Sequence, residues 1–208
     1  MGEPASQACL THVPKVDVVI DCLGTTDPAA LRSDIEAYLE AAKSTRPVGA
    51  PNLTYIYTSG TWVHGHNREY TVTDSTPLTD PVELVKWRPE VEQFVATAQE
   101  WNGVVVRPSM VYGRTGSIFG MLLFSEVLAA KAEDRSPAFP GTPGGSFPVI
   151  HQDDLADLYV RVAERGPVLK GVIFDASSGH MEPTDIVLER LAKIARVKPF
   201  QYREPKNR

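Results

Sequence analysis

Alternating strand and helix signals predict an α/β fold, a parallel sheet with helices on both faces. Three observations carry that reading. Runs rich in β-branched and aromatic residues stand at 16–22, 53–58, 103–107 and 172–175. Between them, apolar residues recur at helical spacing. The runs at 53–58 and 103–107 then empty abruptly into small, hydroxyl, Gly or Pro residues. Open α/β sheets bind ligands outside the carboxyl ends of their strands, so such breaks mark candidate sites.

In order, residues 1–14 read as polar and irregular. Val16 to Cys22 is an apolar run suited to a strand covered on both faces. Asp27 reads as an N-cap with Pro28 at the first helical position. Leu31, Ile35 and Leu39 give that helix one buried stripe to about Lys43. The next strand is 53–58, parallel to the first because a helix crosses between them. Residues 66–81 form a polar loop, and 82–101 read as helix, with Val91, Phe94, Val95 and Ala98 on one face. Pro89 predicts a kink or a fresh start near 88–89. A third strand follows at 103–107, then a helix at 119–131 and a Gly- and Pro-rich stretch at 139–147. A helix at 153–164, a strand at 172–175 and a helix at 183–196 complete the chain. The last helix is expected to turn Ile186, Leu188, Leu191 and Ile194 towards the core.

The chain's 208 residues are 42% apolar, enough for one sizeable core and a small appended lobe. Net charge is −5 with no Lys/Arg block, which argues against nucleic acid. The short basic stretch 203–208 reads as a frayed, solvated end. Cys9 and Cys22 form no metal or redox spacing, so a reduced intracellular, cytoplasmic protein is expected. No leader is evident, and no apolar run approaches the about 20 residues that span a bilayer.

Several side chains carry chemistry worth weighing. His64 and His66 form His-x-His without a third ligand, so a structural or substrate-edge histidine is preferred to a metal site. Asp153 and Asp154 could be paired carboxylates, but their place before Leu155 suits helix capping and first-turn charge. Tyr112 could be a replacement acid, but a packing tyrosine is preferred, and His151 is a candidate substrate contact. The stretch Gly113–Gly120 only imitates a phosphate loop, because its spacing is wrong and no acid follows a second strand.

Taken together, these pieces resemble a known family. The order is Val-Asp-Val-Val-Ile-Asp at 16–21, Tyr-Thr-Ser-Gly-Thr-Trp-Val-His-Gly at 57–65 and Asp-Ser-Thr-Pro-Leu at 74–78. A helix with Glu92 near its middle follows, then Arg107-Pro108 with Val111-Tyr112-Gly113, and His151 with Asp153-Asp154. This combination resembles the extended short-chain dehydrogenase/reductases, the NAD-dependent epimerase/dehydratase group. The resemblance covers roughly 15–195. It implies a Rossmann-like parallel sheet, here the second half of a doubly wound fold, with a small substrate lobe mainly within 115–150 and 180–208. It implies NAD or NADP as cofactor and a secondary alcohol or sugar-like small molecule as substrate. Cofactor contacts fall on Leu23, Gly24, Thr58, Ser59, Arg88, Pro108, Met110 and Val111. Substrate contacts fall on His64, Tyr112 and His151.

The sequence departs from that family in three places. No strand–GxxGxxG–helix turn is present, so the chain is expected to enter the family fold at its fourth strand. The Tyr-x-x-x-Lys pair, in which an ammonium one turn away lowers a phenol pKa, falls on Leu84 and Arg88. The hydroxyl position reads as Gly60, flanked by Ser59 and Thr61. Ser59, Thr61 and Arg88 are therefore the candidate catalytic residues of a catalytically impaired homologue. A non-catalytic binding scaffold and a fragment without independent function are the alternatives. Strand 16–22 would become a sheet edge, which predicts self-association.

Overall fold

A computed structural model describes residues 7–67, 69–114 and 117–204. The first and last stretches, Arg68, and Thr115 with Gly116 of the pseudo-phosphate loop lie outside the described residues, as does most of the basic tail. In chain order the elements are α1 (Gln7–Leu10), β1 (Val18–Asp21), α2 (Pro28–Thr45), β2 (Thr54–Thr58), α3 (Arg88–Thr97), β3 (Asn102–Pro108), β4 (Met110–Tyr112), α4 (Ser125–Ala132), β5 (Ala138–Pro140), β6 (Ser146–His151), α5 (Gln152–Glu164), β7 (Ile173–Ala176), β8 (Met181–Pro183), α6 (Thr184–Ala195) and β9 (Gln201–Arg203). The chain divides into two units: Met1–Pro108 with Ala156–Ala176, and Ser109–Leu155 with Ser177–Arg208.

The first unit holds a four-stranded sheet, ordered β1-β2-β3-β7 and parallel throughout. Asp27 starts α2, its carboxylate accepting from the N–H groups of Ala29 and Ala30 at 3.0 and 3.2 Å. Leu31, Ile35 and Leu39 on α2 and Val91 and Val95 on α3 cover one sheet face through Tyr55, Tyr57 and Val105. Each such fully buried side chain contributes about 1.5–3 kcal/mol. On the opposite face Tyr159 of α5 reaches Thr58. The turn after α5 comes so close that a Cβ on Gly166 would lie 2.2 Å from the Thr54 hydroxyl.

Several expectations need correction in this unit. The helix expected over 82–101 starts afresh at Arg88 beside Pro89, as expected, but is preceded only by a short 3₁₀ turn (Glu83–Val85). It stops at Thr97 because Trp101 is buried instead. Its ring stacks on Tyr55 at 4.4 Å and its Nε1 donates to the Val95 carbonyl. Residues 7–15 are not irregular. They form a helical turn and a 3₁₀ turn, and Val13 sits in the core with its carbonyl bound by Arg46. Strand β1 is not covered on both faces. It lies at the sheet edge, as expected from the resemblance, and Ile20 is 42% exposed.

In the second unit, β4 pairs parallel with β6, and β6 antiparallel with β8. Strands β5 and β9 form a separate parallel pair. A π-turn over Gly120–Phe124 leads into α4. The strands β5 and β6 stand where only Gly and Pro richness was evident. Of the residues expected on the core face of α6, only Leu188 is fully buried, whereas Ile186 and Ile194 are exposed. The buried stripe runs through Thr184, Leu188 and Ala192, and Ile186 lies about 200° around the helix from Leu188.

Candidate functional site

The carboxyl ends of the parallel strands in the first unit gather most of the candidate residues. Thr58 ends β2. Its hydroxyl donates to Cys22 Sγ at 3.4 Å and is bonded to the Tyr159 hydroxyl at 2.7 Å. Ser59 continues the pairing, its N–H donating to the Val106 carbonyl at 2.8 Å. Its hydroxyl is buried and has no hydrogen-bond partner, the kind of group a ligand or water would satisfy. Gly60 is extended, and a Cβ there would meet the Pro108 carbonyl at an ordinary 3.7 Å. Thr61 opens the 3₁₀ turn Thr61–His64.

Two tethers behind these residues were not recognised in the sequence. The first is a chain of charges. Arg107 on β3 donates to both carboxylate oxygens of Glu92 on α3, at 2.6 to 3.1 Å, with both side chains buried. Arg107 also lies 3.6 Å from Asp175 on β7, and His64 donates from Nε2 to Asp175 at 2.8 Å. The second tether is Asp21, which accepts from the Tyr55 hydroxyl at 2.7 Å and the Leu23 N–H at 3.0 Å. Burial pushes the Asp21 pKa up, and those two hydrogen bonds pull it part of the way back. The signal for the first tether was present in the sequence. A guanidinium ending a run of three valines, and a glutamate on the same helix face as Val91 and Val95, each need a buried partner.

His64 is buried, its Nε2 held by Asp175, while its Nδ1 has no hydrogen-bond partner. Among the described residues no group of three His, Cys, Asp or Glu side chains is arranged to hold a metal. At the positions expected for Tyr and Lys, Leu84 is 58% exposed on its 3₁₀ turn. Arg88 opens α3 with Nε buried and without a hydrogen-bond partner. The nearby phenol is Tyr57, and it is no replacement. Burial drives its pKa upward against the pull of Arg88, and only 2% of the residue is exposed.

The second unit brings Tyr112 and His151 together, ring edge to face at 5.1 Å, through the β4–β6 pairing. Tyr112 is 41% exposed. Gly113 has φ +102°, and a Cβ there would lie 2.3 Å from His151 Nε2, so only glycine fits. Asp153 is paired with Arg114 at 2.9 Å, which lowers its pKa, and both it and Asp154 lie in the first turn of α5. Met110 and Val111 are half-buried on β4, as Pro108 is at the end of β3.

No protein-family model and no curated protein matches this sequence. Solved structures do. Over 99% of this chain and 67% of its own, dTDP-glucose 4,6-dehydratase from Bacillus anthracis, solved with NAD, superposes with a TM-score of 0.74 at 16% identity. For UDP-glucose 4-epimerase from Bifidobacterium longum, solved with NAD+ and UDP, coverage is 99% and 70%, the TM-score 0.72 and the identity 20%. For RMD from Pseudomonas aeruginosa, complexed with NADPH, coverage is 92% and 70%, the TM-score 0.63 and the identity 20%. The chain has the epimerase/dehydratase fold. It spans about two thirds of the length of these structures. The Rossmann-like architecture expected from the sequence is thus the observed one.

Within that fold, the two helices that follow β1 and β2 offer no grip for a pyrophosphate. The N-terminus of α2 is already capped by the Asp27 carboxylate, which would repel a phosphate from those N–H groups. The first turn of α3 contains Pro89, which has no N–H to give. At these two helix starts the Asp27 carboxylate and Pro89 stand where N–H groups would otherwise meet a phosphate.

Proposed function

We propose that this chain is a homologue of the NAD(P)-dependent epimerases and dehydratases in which these residues do not themselves carry out hydride transfer. The observation behind this is Leu84. Oxidising a secondary alcohol needs a group that takes the hydroxyl proton as hydride leaves. An aliphatic side chain 58% exposed on a turn cannot take it. Tyr57 is too buried to ionise near neutral pH, and Gly60 supplies no hydroxyl. Ser59, Thr61 and Arg88 remain able to donate hydrogen bonds to a ligand oxygen, and Tyr112 with His151 offers an exposed aromatic and imidazole surface. By resemblance the family's cofactor is NAD or NADP, which this chain is expected not to hold by itself, and the ligand is a sugar-like small molecule.

A second reading, a binding or regulatory scaffold, is favoured by the unpartnered buried polar atoms of Ser59 and Arg88, which can hold a ligand without reacting. Self-association through the exposed edge at 16–22 belongs to either reading. The test is turnover. Purified chain incubated with NAD+ or NADP+ and UDP-glucose is expected to give no change in absorbance at the reduced-nicotinamide band and no epimerised or dehydrated sugar. Product formed at a rate that Arg88→Ala abolishes would overturn the reading.

A further inference from the structure

Among the described residues, every arginine partly withdrawn from the surface has its partners, with one exception. Arg32 holds Glu36, Arg46 the carbonyls of Val13, Val16 and Pro51, Arg107 Glu92, and Arg135 Glu126. Arg88 is half-buried, its Nε enclosed without a hydrogen-bond partner. The carboxylates near the start of α3 are already engaged. Glu92, one turn along the helix, gives both oxygens to Arg107, and Asp175 holds His64. The Arg88 guanidinium carbon lies 5.2 Å from the centre of the Trp87 ring, a contact that helps hold the fork in place. The sheet face that α3 covers supplies two hydroxyls. Tyr57 ends on that face, and Ser59, two residues on, shares it because side chains alternate along an extended strand. Both hydroxyls are buried and without a partner. Burial pushes the Tyr57 pKa up and the Arg88 charge pulls against that rise, so the phenol stays protonated within the field of the guanidinium.

We propose that the ligand held here is an acid, its carboxylate paired with Arg88 and hydrogen-bonded by Ser59 and Tyr57. The proposal rests on the reading that Ser59 and Arg88 hold a ligand, and it narrows that ligand to a carboxylate-bearing, sugar-like molecule such as a uronate. A neutral hydroxyl would satisfy the donors but leave a half-buried guanidinium without a counter-charge. A carboxylate meets both needs, since its two oxygens match the planar fork and its remaining lone pairs accept from the hydroxyls. One guanidinium and two neutral hydroxyls suit a single negative charge better than the nearly two of a phosphate monoester.

The test compares D-glucuronate with D-glucose, which differ only in a carboxylate against a hydroxymethyl group, by ligand-detected NMR titration of the full chain. Glucuronate is expected to bind about tenfold more tightly, the size of one charge-assisted pair. That preference is expected to vanish in Arg88→Gln and to persist in Arg190→Gln, which removes an exposed charge from α6. Circular dichroism confirms that both variants are folded, and if Arg88→Gln does not fold, the comparison on the parent chain decides alone. Equal binding of the two sugars by the parent would leave a ligand site but overturn the acid. Binding of neither would overturn both the proposal and the reading on which it rests. A preference for glucuronate that survives in Arg88→Gln would place the carboxylate elsewhere and also overturn the proposal.

Discussion

Asp21 shows how one buried carboxyl can be both a tether and a cost. It holds Tyr55 and the Leu23 N–H, yet burial raises its pKa above the ordinary carboxylate value. Its share of stability is therefore fully present below the unfolded-state pKa of about 4 and is lost as pH rises through the higher folded value. Asp21→Asn removes that titration. The melting temperature of the variant minus that of the parent is expected to become more positive as pH is raised from about 4 to about 7, the interval above the ordinary carboxylate pKa. A difference independent of pH would show that Asp21 pays no ionisation penalty. At this scale the sequence was legible wherever a residue acts on its immediate neighbours. Asp27 and Pro28 start α2 as their chemistry requires. It was not legible for Asp21, Tyr159 or the buried His64, whose partners lie tens of residues away. Ile186 and Ile194 are exposed because angular position on α6, not apolar character alone, decides which side chains join the buried stripe.

Among the elements, the Glu92–Arg107–Asp175–His64 chain does the joining. It ties α3 to β3, β3 to β7, and β7 to the turn that follows Ser59. Glu92→Ala leaves the Arg107 guanidinium buried with its principal carboxylate gone, and removing one member of such a pair costs about 3–5 kcal/mol. Urea denaturation is expected to show a loss of that size, whereas a loss below about 1 kcal/mol would mean that water already screens the pair. Elements were legible in proportion to their length and local signal. The strands at 53–58 and 103–107, and the helices with unbroken stripes, needed only their own residues. Strands β5, β8 and β9 have three residues each, and their existence depends on partners far along the chain. The end of α3 was set by Trp101 docking on Tyr55, a tertiary contact that helical periodicity does not record.

For the whole molecule, alternating strand and helix signals were sufficient to foresee a parallel sheet, the family resemblance put strand 16–22 at its edge, and the solved structures share the fold. The first unit gathers Thr58 to Thr61 at its strand ends and Arg88 at the start of α3, and the second unit by itself pairs Tyr112 with His151. The N-termini of α2 and α3 carry the Asp27 cap and Pro89, and on the proposed reading Leu84 stands at the position the family pattern gives to its tyrosine. Fluorescence titration of this chain with NADH and NADPH tests that account most directly. Expected is no saturable change up to millimolar cofactor. Saturable binding in the micromolar range, weakened by Arg88→Ala or by Ser59→Val, would contradict it.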